Sequence, residues 1–262
     1  MAFTHILVLA LIQGMTEFIP VSSSGHLNLL HALTDYPDHG VRIDIALHTG
    51  TLIAALVYFR HDVRQLLVGG IDLLRRRDNA DAQRAGSIAL ASLPVLIGGG
   101  LVLGFGLDVW LRHAEIIAWA SIVFAVPLWL ADRYGRGSLT FAHVAARPAF
   151  AIGLAQMLAL IPGASRAGVT IMAARALGMP RVDAARFSML LSIPVIGAST
   201  LAGVMTLGNA PADPMPLLWA AGAAAAIAFA TIHLFVKMTE YLSLTPFVVY
   251  RVVLGVALLW VL

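Results

Sequence analysis

The chain has 262 residues, of which 60% are hydrophobic and only 12% are charged, against about a quarter charged in an average soluble domain. With a mean hydropathy of +0.87, this composition excludes a soluble globular protein and predicts an all-α integral membrane protein. The net charge of +3 is assigned to arginines in cytoplasmic loops, so no nucleic acid is expected as a partner. The absence of cysteine excludes disulfides and thiolate metal sites.

The first predicted element is a pair of short helices that enters and leaves the membrane on one side. Residues 2–12 are apolar but too short to span a bilayer, and the stretch Gln13–His26 (QGMTEFIPVSSSGH) then interrupts the helix with a proline and three serines. The apolar sequence resumes at Leu27–Leu33, before a polar loop at Thr34–Arg42. Two short apolar segments around such a break are typical of a re-entrant pair, predicted at 2–33.

Six later segments are predicted as transmembrane helices. Residues 60–84 contain the densest group of arginines and are predicted as a cytoplasmic loop, which orients the other spans. A short external turn is predicted at Asp108–His113. The spans are predicted at 43–59, 87–107, 114–131, 184–207, 217–236 and 246–262.

A second interrupted pair is predicted at 150–177, broken at Pro162–Arg166 (PGASR). Each pair is followed by three spans, and because three is odd, the second pair must enter from the opposite face. This order predicts an inverted-topology repeat within one membrane domain, with halves at about 1–131 and 148–262. A few identities 143 residues apart agree with it, Gln13 with Gln156 and Gly25 with Gly168.

In an inverted repeat the two breaks meet near the membrane midplane, which would bring Glu17–His26 against Pro162–Arg166. Polar groups in such an apolar chain are functional candidates, because an unpaired polar group is costly in lipid. Helix N-termini and Gly/Ser-rich turns suit phosphate, and Arg166 adds a forked cation. The predicted ligand is therefore a phosphate or diphosphate, bound by Ser22, Ser24, Gly163, Ser165 and Arg166.

The same stretch offers groups for catalysis. Ser23 and His26 are three residues apart, so Ser23 could attack with His26 as its base, or His26 could activate water. Glu17 and Gln13 are four apart and are predicted to offer oxygens to Mg²⁺ or Ca²⁺, with the substrate phosphates supplying the remaining ligands. Serine, histidine and water all stay open as the nucleophile.

Four further polar residues of interest lie outside the two breaks. His48 could line the same cavity. Lys237, Glu240 and Arg251 are expected to extend toward the membrane surface or to form ion pairs near it.

Two signatures carry a resemblance to a known family. Gln13–His26 closely resembles the first signature of the undecaprenyl-pyrophosphate phosphatase family of the bacitracin-resistance type, and Pro162–Gly168 (PGASRAG) resembles its second. Phe187–Pro194 (FSMLLSIP) is similar to that family too, so the resemblance runs through most of the chain. By position, the family's functional residues fall on Glu17, Ser23, His26 and Arg166. One departure is Gln13, which stands where many members have a second glutamate.

The resemblance implies an inner-membrane enzyme that hydrolyses the C55 isoprenyl substrate undecaprenyl pyrophosphate to the monophosphate and phosphate, recycling the lipid carrier for cell-wall synthesis. It also implies a divalent-metal requirement and an active site that opens toward the periplasm. The isoprenoid pyrophosphate and membrane lipids are the expected partners, and a homodimer is left open.

Two other functional classes are compatible with the same features. The inverted repeat is also typical of a transporter or flippase for an anionic or lipid-phosphate substrate, and a non-catalytic lipid-binding scaffold is the third interpretation. A different lipid phosphatase family, with a Ser-Arg-x₅-His signature, is excluded because Met172 stands where its histidine would be.

Overall fold

The computed structural model describes residues 3–33, 40–106, 113–135, 137, 139–141, 144–206 and 213–262, without the side chains of residues 31–33 and 206. Most of the predicted loop Thr34–Arg42 and turn Asp108–His113 lies outside these ranges. The described helices are α1 (Phe3–Thr16), α2 (Ser23–Leu33), α3 (Gly40–Tyr58), α4 (Arg60–Leu74), α5 (Ala80–Gly104), α6 (Ala114–Tyr134), α7 (Ala146–Gln156), α8 (Arg166–Ala176), α9 (Arg181–Thr206), α10 (Pro214–Tyr241) and α11 (Thr245–Val261). A 3₁₀ turn, Met157–Leu160, continues α7.

Five of these helices, α3, α5, α6, α9 and α10, are long and apolar enough to cross a membrane. Helix α11 is also apolar but has 17 residues, and it covers the last predicted span. Large apolar side chains point outward from the spans: Ile97, Leu218 and Leu234 are more than 60% exposed. Because apolar side chains on an outer helix face suit lipid, the chain is an all-helical integral membrane protein.

Both predicted interruptions are present as helix breaks. Helix α1 ends at Thr16 and α2 begins at Ser23, whereas the second break lies between the 3₁₀ turn and the start of α8 at Arg166. Pro20 lies in the first break, and Pro162 and Gly163 lie in the second. Proline lacks the backbone N–H that a helix needs, and Gly163 has a φ of +92°, which suits glycine but not the other residues.

Small residues let the helices beside these breaks pack closely. A Cβ on Gly50 of α3 would lie 2.2 Å from the Ala221 carbonyl oxygen of α10, and one on Gly153 of α7 would lie 2.6 Å from the Ala91 oxygen of α5. Membrane helices commonly associate through such contacts. The first half of the second broken pair is thereby held against a long span.

The arginine-rich segment predicted as a cytoplasmic loop is largely helical, and its helix is not among those that could span a membrane. Helix α4 occupies Arg60–Leu74, with Val63 and Leu66 packed against the main core. Gly69 allows the backbone of α4 to approach Asp81 at the start of α5, where a Cβ would be 2.0 Å from the Asp81 oxygen. Few positions of α4 are covered, whereas Leu67, Ile71 and Leu74 remain exposed.

A polar cluster anchors the end of α8 that points away from the break. Asp132, at the end of α6, accepts a hydrogen bond of 2.6 Å from Arg181 Nε and one of 3.0 Å from the Leu244 N–H. Arg175 of α8 donates to the backbone oxygens of Asp132 and Gly135, both at 2.9 Å. These bonds join α6, α8, α9 and the link before α11, which fixes the direction in which the N-terminus of α8 points.

Candidate active site

The two helix breaks are in direct contact. The Gly163 N–H in the second turn donates to Ser22 Oγ in the first at 3.2 Å, and Arg166 Nη2 donates to Glu17 Oε1 at 3.2 Å. The stretch around Glu17 therefore meets Pro162–Arg166, as the sequence predicted.

The residues before α2 and α8 have the same local structure. Ser22 and Ser165 have φ values of +74° and +69°, a left-handed conformation that costs an ordinary residue about 1–2 kcal/mol. Each hydroxyl oxygen accepts a bond from the N–H three residues later, Gly25 at 3.3 Å and Gly168 at 3.1 Å. Both serines are therefore helix caps, and they hold the two N-termini at one place.

Glu17 is the centre of the polar network. Its Oε2 atom accepts bonds from Ser23 Oγ at 2.6 Å and from Gln13 Nε2 at 3.1 Å, while Oε1 accepts from Arg166. Arg166 also donates to the Ser188 backbone oxygen at 3.2 Å. The Glu17 and Arg166 side chains are only 7% and 12% exposed. A carboxylate this buried needs a cation nearby, since an unpaired charge there costs several kcal/mol.

A cavity of about 190 Å³ opens beside this network. Its polar wall contains most of the residues predicted for the site, namely Glu17, Ser22, Ser23, Ser24, Ser165 and Arg166, together with His48 and Ser199. The cavity is also lined by apolar side chains, including Val95, Leu160, Val195 and Ile196. One cavity thus joins a charged, hydroxyl-rich wall to a surface suited to a hydrocarbon chain.

Gly163, predicted to bind phosphate, does not line this cavity and is a structural residue. Its N–H is already bonded to Ser22, and a Cβ added to it would lie 2.5 Å from the Ile117 carbonyl oxygen. With its positive φ, glycine is required here for both conformation and space.

Gly163→Ala is therefore expected to lower the free energy of unfolding by about 2–4 kcal/mol, from left-handed strain and overpacking together. Thermal unfolding in detergent micelles measures this. Gly222→Ala in α10 is the matched control, because a Cβ at Gly222 meets nothing within 4 Å and its melting temperature should hold or rise. Equal melting temperatures for the two variants would contradict this role for Gly163.

His26, predicted to be catalytic, is not among the residues that line the cavity. Its Nδ1 donates to the Ser22 backbone oxygen at 2.7 Å, and its Nε2 lies 2.5 Å from the Tyr250 hydroxyl. The two rings are stacked with centroids 5.6 Å apart. Ser23 is bonded to Glu17, and among the described contacts it makes no bond to His26. Sequence patterns gave no signal for Tyr250, which comes from a helix far along the chain.

Arg251 was expected near a membrane face, but it is fully buried. Its guanidinium donates to the carbonyl oxygens of Pro20 in the first turn and of Gly163 and Ala164 in the second, at 2.9–3.2 Å. It also donates to Ala120 and Ser121 of α6. Broken helices leave carbonyls without intrahelical partners, and the five donors of one arginine satisfy them. By contrast, Lys237 and Glu240 are exposed near the end of α10.

A divalent cation would find few protein ligands here. Within the described residues, no group of three or more His, Asp and Glu side chains is placed to hold a metal. Glu17 is a carboxylate of the cavity wall. Gln13 donates its amide nitrogen to Glu17, and its oxygen has no partner among the described residues, but this side chain is fully buried and does not line the cavity. A cation here would therefore bind Glu17 and otherwise the substrate phosphates.

Nearly the whole chain matches one protein family. The family described as Bacitracin resistance protein BacA matches residues 6–257. A protein of Maricaulis maris named "Undecaprenyl-diphosphatase" is 44% identical, with 99% of this chain and 98% of the relative covered. Proteins of the same name from Roseobacter denitrificans, 43% identical over 99% and 98%, and Alcanivorax borkumensis, 44% identical over 97% of each chain, are similarly close.

Proposed function

Because this chain belongs to the bacitracin resistance protein BacA family, we propose that it acts on undecaprenyl diphosphate. It is a phosphatase that hydrolyses the lipid diphosphate to the monophosphate and phosphate, which recycles the lipid carrier for cell-wall synthesis. The observation that carries this function is the meeting of Glu17, Ser23 and Arg166 at one cavity with an apolar wall.

The diphosphate binds between the two turns. Arg166 is a forked donor suited to phosphate oxygens, and the serine hydroxyls of the first turn add neutral donors. The N-termini of α2 and α8 reach the same place, where their dipoles favour negative charge. As negative charge on the transferred phosphoryl oxygens rearranges during the reaction, these fixed donors stabilise it without having to reorganise.

Ser23 is the side chain best placed to attack. Its O–H already donates to Glu17 Oε2 at 2.6 Å, so the carboxylate is positioned to accept the proton as Oγ bonds to the terminal phosphorus. The bond from that phosphorus to the bridging oxygen breaks, and the lipid monophosphate leaves with that oxygen. Water then hydrolyses the phosphoserine to release phosphate.

The cation is Mg²⁺ or Ca²⁺, held mainly by the substrate. Glu17 is the cavity side chain that would complete its ligands, and Gln13 would hold that carboxylate in place through the bond from its amide nitrogen. When bound, such an ion neutralises phosphate charge. Arg166 neutralises part of it independently of the ion.

The isoprenoid chain lies along the apolar wall formed by Val95, Leu160, Val195 and Ile196. These residues come from α5, the 3₁₀ turn and α9, all of which also face lipid. The head group is thus bound in the cavity while the tail stays in the membrane.

The orientation follows from charge and from the position of the cavity along the spans. In α9, Ser199 of the cavity lies nearer the Thr206 end than the Arg181 end, and in α3 His48 lies nearer Gly40 than Arg60. The arginine-rich ends are expected in the cytoplasm. The cavity of this inner-membrane protein therefore opens toward the periplasm.

The repeat is supported by the paired caps. Ser22 and Ser165 are 143 residues apart in sequence and share a left-handed cap, a bond to a following glycine and a place at the cavity. Two halves of inverted topology, each with a re-entrant pair and three spans, account for this pairing.

The test is phosphate release from farnesyl diphosphate by the purified protein in detergent micelles. We expect release with Mg²⁺ or Ca²⁺ and at least a tenfold loss when a chelator is added, because the cation neutralises substrate charge. A transporter would leave the diphosphate intact in micelles. No release with either ion would contradict the proposed function.

A further inference from the structure

His48 of α3 has a role in the cavity that the sequence left open. It lines the same cavity as Ser199 and Arg166, and its Nε2 lies 3.9 Å from Glu17 Oε2. The side chain is 34% exposed, so it is reachable from the cavity. Its position raises the question of what lies between its ring and the carboxylate.

The hydrogen bonding of His48 identifies which nitrogen is free. Its Nδ1 lies 2.8 Å from the Asp44 backbone oxygen, and a carbonyl oxygen only accepts, so Nδ1 carries the hydrogen. In the neutral ring, Nε2 then has a lone pair. That lone pair faces the cavity together with the oxygen of Glu17. Histidines that bind metals typically donate their other ring N–H to a backbone carbonyl in this way.

His26 lacks this arrangement. Its two ring nitrogens are both engaged, by Ser22 and by Tyr250. Although the sequence places His26 in the signature, the imidazole whose free nitrogen faces the cavity is that of His48.

We propose that His48 Nε2 is a ligand of the divalent cation in this chain, shared with Glu17. Metal bonds to imidazole nitrogen and to carboxylate oxygen are about 2.0–2.2 Å, so atoms 3.9 Å apart can bind one ion between them. Mg²⁺, Ca²⁺ and Mn²⁺ all prefer oxygen ligands, so the carboxylate and the phosphates supply most of this site, and Mn²⁺ can replace Mg²⁺ as a paramagnetic probe of the one nitrogen ligand. This inference rests on the proposed function, since the substrate supplies the remaining ligands.

The test measures the ligand directly in the full-length protein in detergent. Mn²⁺ is bound in the presence of methylenediphosphonate, a diphosphate analogue that cannot be hydrolysed, and pulsed electron paramagnetic resonance detects ¹⁴N bonded to the ion. We expect nitrogen modulation in the wild type and its loss in His48→Gln. We also expect about tenfold weaker Mn²⁺ binding in that variant.

Two histidine variants serve as controls. His26→Gln should keep the nitrogen signal, and so should His233→Gln, since His233 contacts Tyr58 away from the cavity. Mn²⁺ bound without nitrogen coupling in the wild type would overturn the proposal. So would a signal that survives His48→Gln, or no Mn²⁺ binding at all.

The phosphatase assay separates this inference from the proposed function. If the wild type releases phosphate but shows no nitrogen coupling, only the role of His48 fails. If it releases no phosphate with any cation, the proposed function fails. Thermal unfolding of His48→Gln at the wild-type temperature would show that the variant is folded.

Discussion

Arg166→Ala is expected to lower kcat/KM for the isoprenyl diphosphate by about 10³- to 10⁵-fold, the range for an arginine that stabilises phosphoryl transfer. Arg166 lines the cavity, and its guanidinium is held by Glu17 and by the Ser188 carbonyl. It is therefore fixed in place before substrate arrives. Steady-state phosphate release in micelles measures the loss.

Removing Arg166 also leaves the buried Glu17 carboxylate without its guanidinium partner, which is expected to lower the folding stability of the alanine variant. Arg166→Lys keeps the positive charge but not the forked donor, and should fold while losing at least about a hundredfold in activity. Arg133→Lys is the matched control, because Arg133 lies on the exposed end of α6 over the Trp129 and Tyr134 rings. Near-normal turnover in a folded Arg166→Lys protein would contradict the assignment.

Ser23→Ala is expected to lower kcat by about a thousandfold or more, as for other enzymes that lose a nucleophile. The hydroxyl lines the cavity and donates to Glu17 Oε2. Its removal takes away the attacking oxygen and leaves the binding groups in place, so KM should change much less than kcat.

Ser92→Ala in α5 is the control for Ser23→Ala. Ser92 is also buried, but its hydroxyl bonds to the Ile88 backbone oxygen within its own helix, and turnover should stay at the wild-type level. Acid quenching of the wild-type protein during turnover of substrate that carries ³²P in its terminal (β) phosphate should trap phosphoserine. The Ser23→Ala variant should trap none. Turnover within threefold of the wild type in Ser23→Ala would exclude serine attack.

Much of the site was predictable because it lies in two short stretches. Glu17 and Arg166 are far apart in the chain, yet both fall in breaks of apolar helices, and polar groups there need each other in lipid. The parity of the spans predicts that the breaks meet. The hydrogen bond of 3.2 Å from Arg166 to Glu17 shows that the two breaks are in contact.

The residues that support the site follow no sequence pattern. Arg251 binds carbonyl oxygens, which every residue has, so no side-chain type or spacing indicates its partners. Tyr250 meets His26 only because α11 packs beside α2. The segment 60–84 was predicted as a loop because of its six arginines, but only two of them lie in α4. The rest of that helix is largely apolar and approaches α5 at Gly69.

The central claim is that two turns from separate halves of the chain together bind one diphosphate. Isothermal titration with farnesyl methylenediphosphonate and Mg²⁺ tests it without catalysis. We predict that Glu17→Gln, which removes the carboxylate that would hold the cation, and Arg166→Lys, which removes the forked donor, each weaken binding at least about tenfold, or roughly 1.4 kcal/mol. Wild-type affinity in either folded variant would show that the diphosphate is not bound between the turns.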